Sequence, residues 1–184
     1  MRHFVFILPL ALLACGQPQS TSRGGCDLSA THEITWSNPD APDTVTARAD
    51  GPSCRQAAIT LTIRNAQGDP LWAFASSHYA MTAGDGALPA DAPEVTEASM
   101  TEFLANWADV TMQSSGELPE WREGEPALRG ETFSYHTTFE REAYEMLRGR
   151  DLPMACYAGG AETSQCLAID PLSNAPTLLV AYGP

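Results

Sequence analysis

Not one of the 184 residues is a lysine; all ten basic side chains are arginine. That absence removes every mechanism built on a lysine nucleophile, a Schiff base or a phosphate-loop lysine. The one long apolar run, residues 4–13, falls well short of the roughly 20 residues that a helix needs to cross a bilayer. There is no G-x-S-x-G turn to present a nucleophilic serine, no H-E-x-x-H pair, no EF-hand loop and no glycine-rich phosphate cradle. No two cysteines have the close spacing of a structural zinc site. No cofactor and no resident metal are therefore expected. Positive charge is scarce as well: ten Arg face 23 Asp and Glu, a net charge of −13. Nucleic acid and anionic lipid draw proteins through basic patches, so neither is expected to be bound by charge.

What is present starts at the N-terminus. Arg2 is the only full charge before Cys15, and the apolar run behind it is broken only by Pro9. A positive start, a short greasy core and small residues at its end describe a secretory leader. The run closes on Leu12-Leu13-Ala14-Cys15, which resembles the lipobox of bacterial lipoproteins. The resemblance covers residues 1–15 alone. It implies cleavage between Ala14 and Cys15, a diacylglyceryl group on the Cys15 sulfur and an acylated Cys15 at the mature N-terminus. Partnership with a membrane would then run through lipid on Cys15, since several acyl chains hold a protein far better than one. Gly16 stands where many inner-membrane lipoproteins carry Asp, which points to the outer membrane, facing the periplasm.

Three regions follow: a leader over residues 1–14, a flexible tether over 15–25 and one globular domain over 26–184. The tether is Gln, Ser, Thr, Gly and Pro with a single Arg, too polar to order itself. With Cys15 set aside, Cys26, Cys54, Cys156 and Cys166 remain. An even number in an exported chain reads as two disulfides, and the pairing of sequence neighbours is favoured: Cys26 with Cys54, Cys156 with Cys166.

Within the domain, alternation marks strands around His32–Trp36, Val45–Ala49 and Ile59–Ile63. The last of these is joined by an Asn-Ala-Gln-Gly-Asp-Pro turn to Leu71-Trp72-Ala73-Phe74-Ala75. This second strand is apolar on both faces and is expected inside a sheet. Met100, Phe103, Leu104, Trp107 and Val110 predict a helix over 93–109, opened by Asp91 with Glu94. Phe133 and Tyr135 predict a short strand. Thr137-x-x-Glu140 reads as a capping box before a helix whose face carries Phe139, Ala143, Met146 and Leu147 and which ends at Gly149. Residues 155–158 and 165–169 read as a stapled hairpin, and 177–182 as an interior strand. The expected fold class is α+β: a mostly antiparallel sheet of six or seven strands with two helices packed on it.

Candidate binding residues are His78 and Tyr79, which lie between an apolar strand and a Gly-rich loop, and Trp121, set among Glu117, Glu120, Glu123 and Glu125 in a long loop. The ordinary role of such a Trp is to pack back on its own domain. His32, His78 and His136 are the histidines of the mature chain; nothing in their spacing requires a shared zinc site. No catalytic residue can be named. The leading expectation is a lipid-anchored envelope protein with a non-enzymatic, accessory or protein-binding role, possessing an envelope protein as partner. One alternative is a small periplasmic hydrolase using His and carboxylates with or without metal. Another is an inhibitor of a cationic envelope-attacking enzyme.

Overall fold

The computed structural model describes residues 25–83 and 92–184. The leader, Cys15, most of the tether and Asp91 lie outside the described residues.

Four strands, β1 (Cys26–Ile34), β2 (Asp43–Gly51), β3 (Ala58–Arg64) and β4 (Pro70–Ser77), pair antiparallel in sequence order. Period-two alternation decides which face is buried. Val45, Ala47, Ala49, Ile59, Leu61 and Ile63 all turn inward at 0% exposure. Thr44, Thr46, Arg48, Thr60, Thr62 and Arg64 occupy the alternate positions on the solvent side. Each fully buried Leu or Ile contributes about 1.5–3 kcal/mol of transfer free energy, enough to fix this register. The β3–β4 turn closes on Asn65, whose side-chain oxygen accepts from the N–H groups of Gln67 and Asp69. Gly68 sits there at φ 85°, a left-handed conformation that side chains rarely tolerate. After β2 the chain folds back through a short 3-10 turn, Cys54–Gln56, and a Cβ at Gly51 would meet the Ala57 backbone at 2.6 Å. The turn carries Cys54 into its disulfide with Cys26.

The second sheet has five strands, β5 (Thr111–Ser114), β6 (Ser134–His136), β7 (Pro153–Ala158), β8 (Ser164–Asp170) and β9 (Ala175–Gly183), in the order β5-β7-β8-β9-β6. Every pairing is antiparallel. Cys156 and Cys166 face each other directly across β7 and β8 and form the second disulfide.

The described residues form three helices, α1 (His78–Ala83) and α2 (Glu97–Ala108) between the two sheets in the chain and α3 (Arg141–Arg148) between β6 and β7. Helix α2 lays Met100, Leu104 and Trp107 against β1 and β2, where Leu28 and Ala30 pack against the same core. Ala155, Tyr157 and Leu167 of the second sheet close that core. On the far face of the second sheet, Met154, Cys166, Leu179 and Val180 make another core with Tyr144 and Leu147 of α3 and with Leu118 and Leu128. The result is a layered α+β body. Three indoles tie the layers together at β7: Trp36 Nε1 donates to the Pro153 carbonyl at 3.2 Å, Trp72 Nε1 to the Tyr157 hydroxyl at 3.1 Å, and Trp107 Nε1 to the Ala158 carbonyl at 2.9 Å.

Several sequence expectations need correction. The strands divide into two sheets, not one sheet of six or seven, because β7 and β8 expose alternate residues to two separate cores. There are three described helices, not two; α1 is a single six-residue stretch with no periodicity to reveal it. The helix expected over 93–109 begins at Glu97, because Thr96 and Ser99 form the capping box. Thr137 caps nothing at α3: its hydroxyl donates to the Leu179 carbonyl, and Glu140 is the N-cap residue without a side-chain cap bond. The buried face of that helix is Tyr144 and Leu147, while Met146 is exposed. β4, expected in a sheet interior, lies at an edge. Trp72 and Phe74 reach the first core from there, whereas Ala73 and Ala75 are small enough to stand in solvent.

Candidate functional site

His78 opens α1 directly after β4, with its ring edge-on to Phe103 at 4.9 Å. Partial burial holds its imidazole below the usual value of 6.5, favouring the neutral form. Tyr79 beside it is exposed. On the same helix, Ala80, Thr82 and Ala83 face Gly160 and Thr163 of the β7–β8 turn across an open surface cavity of about 650 Å³. Among the described residues, Glu162 is the only ionisable side chain on its wall, and neither His78 nor Tyr79 lines it. His78 and Tyr79 are neighbours at the start of α1, while Trp121 packs against the second core.

Trp121 is half-buried and held on three sides. Its ring meets Tyr144 edge-on at 6.0 Å, its indole N–H donates to the Glu125 carbonyl at 3.1 Å, and its backbone N–H donates to Glu145. The loop is pinned further by the Tyr144 hydroxyl, which donates to the Pro119 carbonyl at 2.6 Å, and by Arg148 Nε, which donates to the Leu118 carbonyl at 2.8 Å. Burial raises the Tyr144 phenol well above its ordinary value, so it stays a donor. This acidic loop is part of the second core and not a free arm.

The histidines sit apart in the topology. His32 lies on β1 with Nε2 3.3 Å from Asp109, at the C-terminal end of α2. His136 is on β6, the edge of the other sheet, opposite Ala181. Among the described residues, no three His, Cys, Asp or Glu side chains are grouped to hold a metal ion. The nucleophile-like contacts that do exist serve structure. Ser114 Oγ donates to Asp151 and accepts from the Gly116 N–H, while buried Ser115 Oγ bonds the Leu147 carbonyl and the Leu152 N–H. Asp43, at 0% exposure, accepts from the Trp36 N–H, the Ser37 N–H and the Ser37 hydroxyl, which locks the chain between β1 and β2.

A Trp72–Tyr157–Gln165 hydrogen-bond chain escaped the sequence reading. Its first link joins residues 85 positions apart, and no local pattern encodes such a link. Among the described residues, no helix is long and apolar enough to cross a membrane. Comparison with protein-family models, with curated proteins and with solved structures found no match.

Proposed function

We propose that this chain is a lipid-anchored protein of a bacterial envelope with a non-enzymatic, accessory or protein-binding role. The observation that carries the reading is the residue pattern Leu12-Leu13-Ala14-Cys15 behind a charged, apolar leader. Cysteine accounting supports it: the other four cysteines are consumed by two disulfides, which leaves Cys15 as the odd thiol. Two disulfides in a domain of this size fit an oxidising compartment better than a reducing one. No specific observation favours the catalytic alternative, since His78 meets Phe103 edge-on, His32 pairs with Asp109 and His136 lies on β6 of the other sheet. The inhibitor alternative would need Trp121 as a contact, and Trp121 is committed to Tyr144 and the Glu125 carbonyl.

The decisive experiment is mass spectrometry of the full chain expressed in a bacterium and taken from the membrane fraction. A mature chain beginning at Cys15 with fatty acid attached is expected, and Cys15→Ser should abolish both cleavage and acylation. Recovery of the wild-type chain with Met1 retained and no fatty acid would overturn the reading.

A further inference from the structure

We propose that the Cys26–Cys54 disulfide is a mechanical clamp. It takes the pull of a membrane anchor past the weakly held edge strand β1 and delivers it to the inner strand β3. The inference rests on the anchor reading above, because an anchored chain is one that is pulled from its N-terminal side.

An anchor on Cys15 would draw on the domain where the chain enters β1, at Cys26. That strand is weakly secured. It pairs with β2 alone. Between its two buried ends, Leu28 and Ala30 are only partly buried and His32 is exposed, whereas Val45, Ala47 and Ala49 of β2 stand at 0% exposure. The placing of the chain ends adds to the weakness. The Cys54–Gln56 turn packs against α1, and α1 faces Gly183 and Pro184 across the open cavity. Both ends of the domain therefore lie around α1, and tension between them pulls across β1 and not along it. Antiparallel hydrogen bonds lie perpendicular to their strands, so a transverse pull breaks them row by row, beginning at Cys26 and Gly51.

The disulfide answers this by its position. It sits on the first residue of β1, ahead of every other row, and joins it to Cys54, 28 positions on. A bond placed further along the strand would leave the earlier rows open to peeling. Covalent bonds carry the tension from Cys26 through Cys54 and Ala57 into β3. That strand has a partner on either side and buries Ile59, Leu61 and Ile63. Residues 27–53 form a closed loop off this route. Strands β1 and β2, with α2 packed on them, stay folded until β3 itself gives way.

The test is force spectroscopy on the oxidised full chain, stretched between one handle domain before Met1 and another after Pro184. Wild type should show its main rupture with no earlier step. Cys26→Ser with Cys54→Ser should add an early step at lower force, of about 30 Å for the nine residues of β1. Cys156→Ser with Cys166→Ser removes the other disulfide and should add no early step. A bond that only stabilises the fold predicts a weaker main rupture and no early step. A second measurement keeps the clamp intact. Moving the first handle to Arg55→Cys, in a Cys15→Ser background, should leave the wild-type rupture force unchanged, because tension already enters beside that residue. An early step in the oxidised wild type, its absence when Cys26 and Cys54 are replaced, or a different rupture force from position 55 would each overturn the proposal. Lipid takes no part in these measurements, so an unacylated Cys15 would remove the anchor reading and leave their result standing.

Discussion

The two sheets are close in size and each carries one disulfide, but they are covered differently. The four-stranded sheet buries one face under α2 and leaves a threonine-rich face to solvent, so β3 alternates buried and part-exposed residues. In the five-stranded sheet, one face joins that same core while the other closes on α3 and the loop that follows β5, and the four central residues of β7 are all buried. Coverage, more than strand propensity, sets what a sequence position tolerates. A strand with one covered face has two classes of residue; a strand with two covered faces has one.

The sharpest way to break this comparison is by pairs of adjacent substitutions read by urea unfolding. Leu61→Ala should cost about 2–5 kcal/mol, with Thr62→Ala within about 0.5 kcal/mol. In β9, Leu179→Ala should cost about as much as Leu61→Ala, and its neighbour Leu178→Ala should also exceed about 1 kcal/mol, since Leu178 packs on the first core and Leu179 on the second. A neutral Leu178→Ala would show that the first core does not reach β9.

The disulfides give the next contrast. Cys26–Cys54 spans 28 positions and Cys156–Cys166 spans ten. In the chain-entropy account, replacing the first pair by alanine should cost roughly 3–4 kcal/mol and the second roughly 2–3 kcal/mol. A reversed order would point to enthalpic terms in the native state. Smaller again is Tyr144→Phe, which strands the Pro119 carbonyl and should cost about 1–2 kcal/mol, with faster proteolysis inside the acidic loop as a local readout.

The smallest expected effect is one of pH. Burial holds His78 below its ordinary value, so folding favours its neutral form. The penalty is absent above the unfolded value near 6.5 and grows as pH falls below it. His78→Gln should therefore flatten the loss of stability on acidification, measured by unfolding at a series of pH values. An unchanged slope would mean that His78 protonates as freely folded as unfolded.

Local features of this fold were legible in the sequence because their causes are local. The Asn65–Gly68 turn, the alternation of β3, the stapled β7–β8 hairpin and the interior place of β9 all follow from neighbouring residues. The division into two sheets was not legible. It depends on β7 finding β5 across some forty positions and on α2 lying against β1, and the same apolar strands would suit one wide sheet. The helix over 97–108 was placed by its stripe, but Thr96 displaced Asp91 as its start, since a capping hydroxyl acts only where the chain turns. Of the candidate site residues, Trp121 belongs to the packed loop, whereas His78 and Tyr79 fall beside a cavity that they do not line. Side-chain type signals the capacity to bind; only placement makes a site, and placement here is tertiary.

One strand receives the indole hydrogens of Trp36, Trp72 and Trp107, each arriving from a different segment of the chain. The molecule thus carries its own optical gauge. Separation of the layers would hydrate all three rings together and redden their emission in step, whereas loosening of the acidic loop would alter Trp121 alone.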